Sequence, residues 1–278
     1  MLNSKQILVI VLILALMGVL LARPISGLVS EDKGANSSSS VENASIYNLE
    51  NVSDIAKQGL NSKISSEIAA LENKIASAEG DEKVELLQQL ANKWDDVAKY
   101  APQGFIYQEM ATINPKFDYW LKSGNAYRSA YANLQDTVMV RELTQFAINS
   151  YEKAIALDEN NLDAKMGLGA AMVTGTNNPM AGIALLREVV AAEPKNVEAN
   201  KTLGLFSLQS KQFDKAIERF QTVIEVKPDA EAYFYLATAY QNIGLKSEAI
   251  ASFQQSKALA ADPTLSQYID SQIKELSK

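Results

Sequence analysis

Between Val197 and Pro228 the apolar positions fall into two helical stripes. Ala199, Leu203, Leu205 and Phe206 recur at helical spacing with Gly204 among them, and Ala216, Ile217, Phe220, Val223 and Ile224 form a broader i, i+3, i+4, i+7 stripe. Lys211, Gln212 and Phe213 link the two stripes, and Pro228, which lacks an amide donor, stops the second. The pattern predicts a pair of amphipathic helices. One pair cannot cover its own apolar faces, so it needs neighbours of the same kind.

The chain supplies them at a fixed period. Leu236-Ala237, Tyr240, Gly244, Ala249 and Phe253 repeat the pattern downstream. Upstream, Leu168-Gly169, Met172, Gly182, Leu186, Val189 and Pro194 repeat it around the turn TGTNNPM, which is rich in turn formers. An earlier unit carries Trp120, Gly124 and Tyr127 and closes with Ala147, Tyr151 and Ala154. It holds about eleven residues more than a 34-residue unit needs, to be absorbed by longer helices or a loop near Asp136. A more degenerate unit spans 84–115, with Leu90-Ala91, Trp94, Tyr107, Met110 and Pro115; Gln103 stands there where a small residue is expected. After the last unit, Leu265, Tyr268, Ile269, Ile273 and Leu276 share one face, opposite Asp270, Lys274 and Glu275. Such a helix suits the open end of an array, which needs a polar outer side.

The amino-terminal part follows other rules. Ile7 to Ala22 is an uninterrupted apolar run behind Lys5, long enough to span roughly 24 Å at 1.5 Å per residue. It reads as an uncleaved membrane anchor or as a cleaved signal segment, and cleavage after Ala22, Gly27 or Ser30 would leave Leu20, Ile25 or Leu28 where a small residue is preferred. Residues 30–53 are Ser- and Asn-rich without periodicity, a tether. Asn36, Asn43 and Asn51 each begin an N-x-S triplet, read either as glycosylation sites or as ordinary linker composition. From Ile64 the 4-3-4 spacing of Ile64, Ile68, Leu71 and Ile75 predicts an amphipathic helix, laid against the first repeat or pairing with a second copy, and ended by Gly80-Asp81.

The register of Leu203-Gly204, Ala216, Phe220, Val223 and Pro228 resembles the tetratricopeptide repeat (TPR). Gly204 and Ala216 are small where two helices cross, and Phe220 fills the space toward the next pair. The resemblance covers roughly 84–262, strongest from 147 onward, and in detail the chain looks like bacterial membrane-anchored TPR proteins of the cell envelope. It implies an all-α helix-turn-helix solenoid with an N-terminal transmembrane or signal helix and a C-terminal capping helix. The expected organisation is an anchor or signal segment (1–23), a tether (24–53), an amphipathic helix (54–80), an array of about five repeats (81–262) and a cap (263–278).

Composition narrows the chemistry. The 278 residues contain no cysteine and no histidine, which removes thiol nucleophiles, disulfides, histidine bases and Cys/His metal sites. The net charge of −7 comes without a basic stripe, so nucleic acid is not an expected partner. Asp95-Asp96 and Glu31-Asp32 are paired acids, one on a helix surface and the other in the tether, and GLG at 167–169 lies inside a helix where packing wants small residues. No catalytic residue, cofactor site or metal site is expected.

What remains is a surface. In the TPR family the first helix of each pair lines the concave groove, with positions 2, 5, 9, 12 and 13 facing it. Carried onto this chain, positions 5, 9 and 12 give Leu121, Asn125 and Arg128; Met166, Ala170 and Val173; Lys201, Leu205 and Leu208; and Phe234, Thr238 and Gln241. Met166 and Ala170 break the Lys/Asn set that grips a peptide's terminal carboxylate. The expected function is a non-catalytic interaction scaffold of the cell envelope, holding a partner's peptide or helix on an apolar strip of Met166, Ala170, Leu205, Leu208 and Phe234. The alternative is an accessory subunit presenting a client in cytochrome c maturation or another envelope assembly complex. The expected location is the inner membrane, single-pass, with the repeats extracytoplasmic, or the periplasm after cleavage.

Overall fold

The computed structural model describes residues 46–278 except Asn133 and Asn177. The apolar run at Ile7–Ala22 and the Asn36 and Asn43 triplets lie outside the described residues. Among the described residues no helix is long and apolar enough to cross a membrane.

Thirteen helices follow one another among the described residues, with no strand. They are α1 (Leu49–Lys57), α2 (Ser62–Ser77), α3 (Gly80–Asp96), α4 (Tyr100–Ile113), α5 (Phe117–Tyr131), α6 (Thr137–Leu157), α7 (Leu162–Gly175), α8 (Pro179–Ala192), α9 (Val197–Gln209), α10 (Phe213–Val226), α11 (Ala230–Asn242), α12 (Lys246–Leu259) and α13 (Pro263–Leu276). From α3 onward they pair as five helix-turn-helix units, and α13 follows the last. From α2 onward each helix packs on its sequence neighbour, α1 packs on α4, and first helices also touch the next first helix: α5 meets α7, α7 meets α9, and α9 meets α11. The first helices therefore form one continuous wall.

Local chemistry repeats with the period. Asn161, Asn196 and Asp229 cap α7, α9 and α11 by accepting from the amides of Ala164, Ala199 and Ala232 at 3.1, 3.0 and 2.7 Å. Those three alanines are fully buried, where a larger side chain would not fit. The turns of the first, fourth and fifth units are alike. Ala98, Lys211 and Gly244 sit at φ 51°, 59° and 81°, and the amides of Lys99, Gln212 and Leu245 reach back to the carbonyls of Trp94, Ser207 and Tyr240 at 3.0, 2.8 and 3.0 Å. That is the left-handed helix end with its six-to-one bond. Its recurrence at Ala98 puts the degenerate first unit in the same register as the others.

The irregularities also resolve. Gln103, placed where a small residue belongs, is buried but donates to the Ala91 carbonyl at 3.2 Å and to Asp95 Oδ1 at 3.3 Å. The surplus in the second unit is shared: α6 has 21 residues where α8, α10 and α12 have 14, and the rest forms the connection before Asp136, which caps α6. Small residues in the third unit serve packing. A Cβ on Gly169 would lie 2.9 Å from the Gly182 carbonyl oxygen, and one on Gly182 would lie 2.5 Å from that of Gly169, so α7 and α8 cross backbone to backbone.

The amino-terminal region differs from the expected single helix over 54–80. Helix α1 begins at Leu49, inside the stretch assigned to the tether, and α2 begins anew at Ser62. Asn48 and Asn51 explain the early start: each side chain accepts from the other's backbone amide, at 2.9 and 3.0 Å, a reciprocal cap. The Asn51 Nδ2, which a glycan would use, donates to the Ile46 carbonyl, and Ser53 of the same triplet is buried against Glu72. The Asn51 triplet is thus absorbed by folding. Ile68 and Ile75 are buried and Ile64 and Leu71 half-buried against Leu87, Leu90, Trp94, Ile106 and Met110 of the first unit. The stripe that could have paired with a second copy is spent on capping the array.

Candidate groove on the first-helix wall

A cavity of about 670 Å³ opens on the wall of first helices where α5, α7 and α9 meet. Ala170, Val173, Leu205 and Phe206 supply its apolar lining, and Arg128, Glu198, Lys201, Tyr131, Thr174, Thr202 and Gln209 its polar one. Its depth follows from sequence. Toward the cavity α7 presents only Ala170, Val173 and Thr174, while Gly167 and Gly169 face Tyr151 of α6 and Gly182 of α8. Arg128 on α5 consequently reaches past α7 to Glu198 on α9, Nη1 to Oε1 at 2.7 Å, across 70 residues of chain.

The guanidinium is positioned from behind by Tyr151 of α6. The phenol donates to Asn125 Oδ1 at 2.8 Å and lies close enough to Arg128 to feel its charge. The ring is clasped between α5 and α7: a Cβ on Gly124 would come within 2.7 Å of it, and one on Gly167 within 2.4 Å. Burial raises the Tyr151 pKa far above that of a free phenol, so the group stays neutral beside the arginine. Burial works against the charge on Arg128, but Tyr151 and Glu198 outweigh it and the guanidinium is held above its ordinary value. Lys201 behaves likewise: burial lowers its pKa, pairing with Glu231 of α11 raises it, and the balance is upward. Two ion pairs thus join first helices across the groove, Arg128–Glu198 between α5 and α9 and Lys201–Glu231 between α9 and α11.

Of the residues expected from the family pattern, Arg128, Ala170, Val173, Lys201 and Leu205 come together on this cavity. Asn125 stands exposed one turn from Arg128 and holds Tyr151. The others lie elsewhere. Leu121 packs with Trp120, Ala154 and Ala164, Met166 with Ile183, Leu186 and Leu203, and Leu208 with Phe220, Leu236 and Tyr240. Phe234 is covered by α13: its ring stands 5.7 Å from that of Phe253 and 5.9 Å from that of Tyr268. The Thr238 hydroxyl donates to the Phe234 carbonyl at 2.9 Å, and Gln241 donates to Gln272 of α13 at 3.2 Å. The open strip is therefore shorter than the pattern suggested and ends where the cap begins.

The lining residues absent from the sequence-based set are Glu198, Thr174, Gln209, Thr202, Phe206, Tyr131 and Ala132. Glu198 occupies position 2 of its unit and Thr174 and Gln209 position 13 of theirs, so the family pattern already pointed at those three. Among the described residues no group of three or more acidic side chains converges as a metal site.

Comparison with known proteins agrees with the helix-pair fold. Residues 177–240 and 230–263 each match a family profile described as tetratricopeptide repeat. Among solved structures, a crystal structure of MamA protein superposes with a TM-score of 0.50 at 24% identity, covering 62% of this chain and 89% of that one. A MamA RS-1 ArsTM double mutant gives 0.52 at 23% identity, covering 66% and 96%. These likenesses are of fold. Anaphase-promoting complex subunit 3 of Dictyostelium discoideum is 29% identical over 125 residues, which is 45% of this chain and 13% of that subunit's length.

Proposed function

Residues 177–263 are tetratricopeptide repeats, and from that premise we propose that this chain is a non-catalytic scaffold that seats an extended or helical segment of a partner protein in the α5–α7–α9 groove. The observation that carries the reading is the cavity of about 670 Å³ on the wall of first helices, lined by Val173, Leu205 and Phe206 and flanked by the Arg128–Glu198 and Lys201–Glu231 pairs. A concave site with an apolar floor and a few placed polar groups is what a peptide needs for burial and orientation. The apolar run Ile7–Ala22 makes the cell envelope its place of action: the run holds the chain in the inner membrane with the repeats outside the cytoplasm, or directs it there and is removed.

The experiment is a photo-crosslinker placed at Gln209, on the groove, or at Val226, exposed on α10 away from it. Irradiation of native membranes should yield one protein crosslinked from Gln209 and not from Val226. Equal crosslinking from both positions, or none from Gln209, would overturn the groove. Alkaline extraction of the same membranes and sequencing of the mature amino terminus decide between anchor and cleaved signal.

A further inference from the structure

We propose that the cleft under α1 receives a basic segment of a partner protein, an arginine or lysine side chain flanked by apolar ones. The cleft is a cavity of about 500 Å³ lined by α1, α2, α3 and α4 at the opening unit, separate from the α5–α7–α9 groove. Its existence follows from how α1 is held. Helix α1 packs on α4 but reaches α2 through polar side chains. Lys57 donates to Glu72 at 2.8 Å, the Ser53 hydroxyl donates to the same carboxylate, and the Ser65 hydroxyl reaches the Lys57 carbonyl at 3.4 Å. These links keep apart two helices that apolar packing would have drawn together, and the space between them stays open. Leu49, Ile75, Ala76 and Leu90 give it an apolar floor.

The sign of the occupant follows from the charges on the cleft. Four carboxylates, Glu50, Asp54, Glu72 and Glu109, face two lysines. Lys83 is matched by Glu109 at 2.7 Å, whereas Lys57 is shared by Asp54 at 3.0 Å and Glu72 at 2.8 Å. Glu50 has no ion pair or side-chain hydrogen bond among the described residues. With every pair counted, two negative charges are left over. Glu50 and Asp54 also stand four residues apart on one face of α1, where like charges repel. The lysine already in the cleft shows the effect of that excess: burial works against the charge on Lys57, yet Glu72 and Asp54 outweigh it. An incoming guanidinium or ammonium offsets the surplus and relieves the Glu50–Asp54 repulsion. Length selects a segment over a compact cation. The lining runs from Leu49 to Lys57, about 12 Å along α1, enough for three or four extended residues whose apolar side chains gain burial on the floor.

The test uses the full purified chain and the peptide acetyl-Leu-Arg-Leu-amide, its first leucine a diazirine analogue, beside a twin with citrulline for arginine. Irradiation and peptide mapping should place saturable labelling on residues 49–57 and 72–76. The citrulline twin should need about two- to fivefold more peptide for half-labelling, and so should the arginine peptide on Glu50→Gln, the worth of one partly exposed charge pair. Glu50 is exposed and unpaired, so this variant keeps its fold. Glu85→Gln, which removes an exposed carboxylate of α3 outside the cleft, should leave the midpoint unchanged. The proposal falls if labelling lies elsewhere, if citrulline serves as well as arginine, or if Glu50→Gln equals the parent. It falls also if Glu85→Gln shifts the midpoint as far, which would mean attraction to the net charge of the chain. Butylguanidinium competing as well as the unlabelled peptide would mean a site for any compact cation and would equally overturn the segment.

Discussion

The ring of Tyr151 lies where a side chain on Gly167 would have to be: a Cβ built there falls 2.4 Å from both Cε1 and Cζ. The same ring stands 2.7 Å from a Cβ on Gly124, so one aromatic from α6 is gripped by glycines of two successive first helices. The grip fixes the spacing of α5 and α7, and with it the mouth of the groove.

Gly167→Ala should therefore destabilise, although an alanine inside a helix ordinarily gains about 0.5–1 kcal/mol over glycine. The overpacking cost of about 1–3 kcal/mol wins because Tyr151 is held on both sides and at its hydroxyl. Gly204→Ala should be milder, since its new Cβ meets only the tip of the Phe220 ring at 2.9–3.2 Å. Denaturant midpoints of the two variants check the order; equal midpoints would contradict the clasp.

Alkaline pH should unfold the array in a way that Tyr151 reports. Burial raises the phenol pKa values of Tyr127, Tyr131, Tyr151 and Tyr235. The folded state then binds more protons than the unfolded state above about pH 10, so stability is complete below that pH and falls as pH rises beyond it. Lys201, raised on balance by Glu231, loses its contribution in the same direction. Tyr151→Phe should cost about 0.5–1.5 kcal/mol at pH 7 for the lost hydrogen bond and reduce the slope above pH 10. Thermal melts from pH 7 to 11 measure both, and an unchanged slope would refute the assignment.

The repeated turn offers a controlled pair. Ala98 and Lys211 hold the left-handed conformation against their side chains, whereas Gly244 holds it freely with nothing within 4 Å of its missing Cβ. Ala98→Gly and Lys211→Gly should each stabilise by about 0.5–1 kcal/mol, the strain relieved exceeding the extra freedom of the unfolded glycine. Gly244→Ala should cost about 1–2 kcal/mol, for backbone reasons alone. Urea unfolding of the three variants tests the signs.

Leu205 and Phe234 should part company when each is changed to aspartate. Both are half-buried, but Leu205 lines the cavity while Phe234 packs among the rings of Phe253, Tyr235 and Tyr268. Phe234→Asp should loosen α13 and lower helicity, because an unpaired charge enters an apolar cluster. Leu205→Asp should keep its helicity and lose the Gln209 crosslink. If the Leu205 variant unfolds as readily as the Phe234 one, Leu205 belongs to the core and not to the groove.

The sequence by itself determined the helix pairs, their number and their register. The reason is local: 3.6-residue periodicity, Asn and Asp caps and small residues at crossings act within one or two turns, and the chain carries them at a constant period. Gly124, Gly169, Gly204 and Phe220 stand in the packing roles that period gave them. Only the tertiary structure decided which polar residues meet. Arg128 and Glu198 are 70 residues apart and touch across α7, which turns only Ala170, Val173 and Thr174 toward that cavity. The fate of the apolar positions was likewise not local. The Ile64–Ile75 stripe and Phe234 have the spacing of free surfaces, yet the first lies on the opening unit and the second under the cap. Periodicity says which face is apolar; what covers that face depends on where the rest of the chain comes to lie.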